Sequence, residues 1–84
     1  METPKLTLRA ARMNLGLTRK EAAKLFNIHH ETMANYETDS EKVPRSFFIK
    51  IPKLYGIATE NIYFGKEEIH YLELRNQLEL KQHA

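Results

Sequence analysis

Between Thr18 and Tyr36 the chain reads TRKEAAKLFNIHHETMANY, a stretch that few folds accommodate. Thr18 with Glu21 three positions on is a capping box: a hydroxyl and a carboxylate satisfy the free amides of a helix start. A helix therefore begins near Arg19, with Ala22, Ala23, Leu25 and Phe26 as its apolar face. Asn27 breaks that pattern, and asparagine tolerates left-handed backbone better than most residues. A second helix runs from about His29 to Tyr36, with Met33 and Tyr36 inward and Ile28 packing at the turn. Helices joined this tightly need a small residue where they touch, and Ala23 occupies that place.

The flanking sequence keeps the helical period, and β-branched residues never alternate over the length of a strand. Thr7 caps a first helix with Leu8, Ala11 and Leu15 as apolar positions, ended by Gly16. Thr38 to Val43 reads as a polar loop. Pro44 or Ser46 opens a fourth helix with Phe48, Ile51, Leu54 and Tyr55 on its buried side, ended by Gly56. Pro52 removes a hydrogen bond inside it, so a kink or a helix in two pieces is expected there. A short fifth helix is expected over Glu60 to Phe64, stopping at Gly65. Residues 67–82 form a last helix with two apolar stripes: Tyr71, Leu74 and Leu78 on one side, Ile69, Leu72 and Leu80 nearly opposite. The expected fold is all-α, with a five-helix domain over residues 1–65 and a helical tail over 66–84.

A chain of 84 residues supports one modest core. No apolar run approaches the roughly 20 residues of a membrane span, and the N-terminus lacks the apolar segment of a signal peptide. A cytoplasmic protein is the expectation. With no cysteine, disulfides and thiolate zinc sites are excluded. The net charge of +2 hides an asymmetry: residues 1–57 hold ten Lys/Arg against six Asp/Glu, and residues 58–84 hold three against five. A basic front half suits a polyanionic partner.

Two short helices joined at Asn27 make a helix-turn-helix, and the outward face of the second carries His29, His30, Glu31, Ala34 and Asn35. In such a motif this face enters the major groove. The residues LGLTRKEAAKLFNIHHETMANYE and, later, LYGIATENIYFG resemble the XRE-type helix-turn-helix of the phage repressor and Cro (lambda-repressor-like) proteins, over roughly residues 5–65. The resemblance implies the five-helix fold and operator binding. Departures from the family pattern are Arg19 where glutamine is usual, Asn27 where glycine is usual, and His29 where serine or threonine is usual. The acidic Asp39 and Glu41 stand where a basic run often follows.

Base contacts are expected from His30, Glu31, Ala34 and Asn35. An asparagine amide pairs with adenine N6 and N7, a glutamate accepts from cytosine N4, a histidine donates to guanine, and an alanine leaves room for a thymine methyl. Phosphate contacts are expected from Arg19, His29, Thr32, Lys42 and Arg45, with Arg19 beside the free amides of a helix N-terminus. His29 has a second option, capping the backbone. Lys20 and Lys24 read as solvent-facing, and Arg12 with Glu37 reads as a structural pair, with Arg9 a second candidate for the same carboxylate. A histidine held against phosphate would make binding tighten as pH falls. No metal is expected, because adjacent His29 and His30 on a helix point roughly 100° apart and share no face. No cofactor, and no enzymatic step, is expected either: Ser40 and Ser46 fall in a loop region, and no phosphate-cradling glycine loop exists.

These features describe a Cro-like or minimal phage or prophage repressor, with no room for a cleavable C-terminal domain. It would bind double-stranded operator DNA as a homodimer. Ile62, Tyr63 and Phe64, with Tyr71, Leu74 and Leu78, are the expected dimer contact, and the C-terminal helix could instead hold a protein partner. Two other readings remain at this point: an antitoxin that represses its own operon, and a helical protein-interaction module with no DNA role.

Overall fold

The computed structural model describes residues 4–83, with side chains described through residue 79. The helices are α1 (Leu8–Asn14), α2 (Arg19–Phe26), α3 (His30–Thr38), α4 (Arg45–Phe48), α5 (Ile51–Tyr55) and α6 (Glu67–His83), with 3-10 turns at Ser40–Lys42 and Thr59–Asn61. Among the described residues there is no strand, only isolated bridges between Leu6 and Ile62 and between Asp39 and Lys66. The all-α class and the appended C-terminal helix are as expected, but the five helices of the domain divide differently. The fourth is split into α4 and α5, and the fifth is reduced to a 3-10 turn.

The local signals explain these elements. The Thr7 hydroxyl accepts from the Ala10 amide and starts α1. At α2 both bonds of the capping box form: the Glu21 amide donates to Thr18 Oγ1 at 3.1 Å and the Thr18 amide to Glu21 Oε1 at 2.9 Å. The Thr18 amide, then its hydroxyl, holds the Glu21 carboxyl below the usual carboxylate range, with burial opposing. Pro52 sits in the first turn of α5, where its missing N–H is harmless, so the helix breaks at Ile49–Lys50.

The core unites Leu8, Ala11, Ala22, Ala23, Phe26, Met33, Phe47, Ile51, Tyr55 and Ile62. Phe26 stacks on Phe47 with ring centroids 4.1 Å apart and meets Tyr55 edge-on at 5.1 Å, which fastens the end of α2 to α4 and α5. Phe47, four residues before Ile51, goes inward, and Phe48, assigned to the core from the sequence, is exposed. Leu15 and Leu25 are likewise exposed, because α1 and α2 are too short to be covered on more than one face.

The N-terminal segment and the stretch before α6 zip together. The Leu6 amide donates to Asn61 O at 2.9 Å and the Tyr63 amide to Leu6 O at 2.8 Å. Ile62 is thereby extended, with 1% of its surface exposed. Ser40, also buried, is the second anchor. Its amide donates to Gly65 O, its hydroxyl accepts from the Gly65 amide and donates to Tyr63 O, all at 3.0 Å. Thus the expected loop at 38–43 is an ordered turn. Gly65 has no room for a side chain, since a Cβ there would lie 2.8 Å from the Tyr63 hydroxyl.

Candidate nucleic-acid interface

The turn between α2 and α3 follows from Asn27, which takes left-handed geometry at φ 57°, ψ 45°. The Asn27 amide donates to Lys24 O at 3.1 Å and the Ile28 amide to Ala23 O at 3.0 Å, the paired bonds of a Schellman ending. Buried Ala22 and Ala23 let α3 lie close against α2. On α3, Met33 and Glu37 point inward and are buried, four residues apart. That phase sends Glu31, Asn35 and Thr38 outward as an exposed stripe at i, i+4 and i+7, flanked by half-buried Thr32 and Ala34. Thr38 was missed in the sequence because the helix was expected to end two residues earlier. Its hydroxyl donates to Ala34 O at 3.0 Å.

His29 does not belong to the helix. It is the N-cap of α3, with extended backbone, and its Nδ1 accepts from the Glu31 amide at 3.2 Å. Nor do the two histidines diverge by the angle two helical neighbours would show. Their rings stack, with centroids 4.4 Å apart and planes 29° apart.

Beneath the stripe lies an ionic cluster centred on Glu37, whose side chain is fully buried. Arg12 Nε donates to Glu37 Oε2 at 2.6 Å, and its Nη2 to Oε1 at 3.2 Å. Its Nη1 donates to Leu17 O at 2.8 Å. Arg19 Nε also donates to Glu37 Oε1, at 3.2 Å. Arg9 Nε lies 3.9 Å from the same oxygen and 3.2 Å from Glu67 Oε2, not aligned for a hydrogen bond with either. The Arg12–Glu37 pair is as expected, and Arg9 is a looser member. Arg19, expected as a phosphate contact, is half-buried and tethered by its Nε, so only its terminal nitrogens remain to face an anion. Nearby, burial first and the charge of Glu37 second push the Tyr55 hydroxyl well above its ordinary value, with Arg12 opposing.

Lys42 and Arg45 are both exposed, in the 3-10 turn and at the start of α4. Lys42 shares a groove with Thr38, Asp39, Lys66, Glu67 and Glu68, so three carboxylates stand close to it. Asp39 has a structural use, its Oδ1 accepting from the Glu41 amide at 3.2 Å.

The expected dimer contact is divided. Ile62 belongs to the core and is unavailable for a partner. Tyr63 is half-buried, its ring stacked on His70 at 4.4 Å, and Phe64 is half-buried against the core. Tyr71 is tied through its hydroxyl to Thr7 Oγ1 at 3.0 Å, and Leu74 is half-buried. Leu78 stays exposed, as do Ile69 and Leu72 opposite, while the side chain of Leu80 lies outside the described residues. His70, not singled out in the sequence, is the residue that docks α6: it is buried, with Nε2 2.8 Å from Lys5 O. Helix α6 therefore packs on the N-terminal segment and on the end of α3, leaving the outward stripe uncovered. No described helix is long and apolar enough to cross a membrane.

Comparison with known proteins covers the same region. A helix-turn-helix family profile matches residues 8–61. The HTH-type transcriptional regulator ImmR of Bacillus subtilis (strain 168) is 36% identical over 62 residues, which are 74% of this chain and 48% of ImmR. The chain thus spans about half the length of that curated relative.

Proposed function

The chain belongs to the helix-turn-helix family, and from that premise we propose that it is a sequence-specific DNA-binding transcriptional regulator, a Cro-like or minimal phage or prophage repressor acting as a dimer on a two-fold operator. One observation carries the reading: the stripe Glu31, Asn35 and Thr38 is exposed on a helix whose opposite face is locked into the core by Met33 and Glu37. A rigid helix with a free polar face is what major-groove readout needs. ImmR is itself a transcriptional regulator of the helix-turn-helix type, which agrees with it.

In this mechanism α3 lies in the groove and each side chain has a task. Asn35 pairs with adenine, Glu31 accepts from cytosine, His30 donates to guanine and Ala34 meets a thymine methyl. Arg19, His29 and Thr32 hold phosphates around the start of α2 and α3, and Lys42 and Arg45 hold those beyond the end of α3. Two copies double a small contact surface. With Ile62 in the core, the dimer contact is assigned to Phe64 together with exposed Phe48, whose ring lies 5.2 Å away, and Ile49. Repression follows from covering a promoter.

Selection of binding sites from random duplexes tests the reading. Asn35→Ala should then relax preference at one base pair at a cost of about 1–3 kcal/mol. Equal loss on every sequence would assign Asn35 to phosphate. With about six phosphate contacts, log affinity should fall with log salt at a slope of roughly −5. A chain that binds no duplex at low salt is a protein-interaction module instead.

A further inference from the structure

We propose that His29 contacts DNA as a neutral imidazole, its Nε2–H donating to a phosphate oxygen, with the tautomer set by the helix it caps. This rests on the DNA-binding reading above and specifies the chemical form in which one residue serves it. A ring nitrogen that accepts a hydrogen bond carries no proton. His29 Nδ1 accepts from the Glu31 amide at 3.2 Å, so the proton of the neutral ring resides on Nε2, on the side of the ring away from that amide. The stack on His30, 4.4 Å between centroids, holds the plane of the ring. Cap and stack together decide which nitrogen donates and where it points. An imidazole has a second nitrogen that reaches past the cap.

Two measurements on the full chain test this. Ring nitrogen-15 spectra of the free protein at mildly basic pH should show His29 with its proton on Nε2; a proton on Nδ1 overturns the proposal without reference to DNA. Affinity for the selected duplex is then compared in the wild type and His29→Gly, a residue that N-caps helices and has no side-chain donor. The variant should melt like the wild type and bind about tenfold more weakly, the size of one hydrogen bond to a charged group. Equal affinity of the two proteins reduces His29 to a cap and overturns the proposal. A wild type that binds no duplex removes the DNA-binding reading itself, while the spectra still report the tautomer.

Discussion

Glu37→Gln is the substitution that most directly tests how the fold is held together. The amide keeps the shape of the carboxylate but not its charge. In the folded chain Glu37 is fully buried and receives Arg12 twice, at 2.6 and 3.2 Å. Arg12 is itself buried and cannot turn to water once its counter-charge is gone. Removing one partner of a buried pair costs about 3–5 kcal/mol. Arg9 and Arg19 are more than a third exposed, so their share is small. A domain of 84 residues at roughly 0.05–0.15 kcal/mol per residue has about 4–13 kcal/mol in all, so the loss is a large fraction of the total. Each kcal/mol moves the midpoint of such a domain by about 4–8 °C, and circular-dichroism melts should show a fall of at least about 12 °C. The double variant Arg12→Met with Glu37→Leu should lose less than Glu37→Gln alone, because the desolvation penalty disappears with both charges. A fall under about 5 °C for Glu37→Gln, or a double variant that melts lowest, would refute the assignment of Glu37 as the buried hub.

Four further outcomes are expected. Tyr55→Phe removes a buried hydroxyl that has no hydrogen-bond partner among the described residues, so the melting midpoint should hold or rise, and a loss above about 1 kcal/mol would show the hydroxyl to be used. Thr18→Ala deletes half of the capping box and should cost about 1 kcal/mol in denaturant titrations. Because the Glu21 carboxyl is held below the usual range by Thr18, its contribution is present above the unfolded carboxylate value and is lost as pH falls through the lowered one; acid melts of Glu21→Gln should lack that part of the pH dependence. On the proposed dimer contact, Ile49→Lys, at a position 60% exposed, should leave the fold intact and shift sedimentation from dimer to monomer; an unchanged dimer would move the contact to Leu78 and the tail, and a monomeric wild type would refute the dimer.

What the sequence shows clearly is local. The capping box at Thr18 and Glu21, the left-handed Asn27 and the break forced by Pro52 each depend on residues within a turn of one another, and each stands where expected. The Arg12–Glu37 pair was expected from the resemblance to the repressor family, since no local pattern joins two charges 25 residues apart. The errors are phase and distance errors. Had α4 continued through Pro52, Phe48, Ile51 and Tyr55 would share a face at i, i+3 and i+7. Phe47, at i−4 from Ile51, fits that face as well, and it is the one the core takes. Ile62 looked like part of a short helix because its bridge partner, Leu6, lies at the other end of the domain. His70 gave no local signal either, since its partner is the carbonyl of Lys5.

The candidate site was legible for a different reason: residues the core does not need stand out once the helical phase is known. Arg19 shows the limit of that approach. Its position suggested a phosphate contact, and nothing local shows that its Nε would be spent on Glu37 at 3.2 Å. The tether joins stability to binding. Three arginines, Arg9, Arg12 and Arg19, surround two carboxylates, Glu37 and Glu67, so the cluster keeps an excess positive charge after every pairing. That excess adjoins the start of α2, where the helix dipole is also positive. Glu37 thus neutralises part of the cluster and orients the remainder. If this is its effect on Arg19, Glu37→Gln should weaken duplex binding even where the protein is fully folded, although the substitution makes the surface more positive.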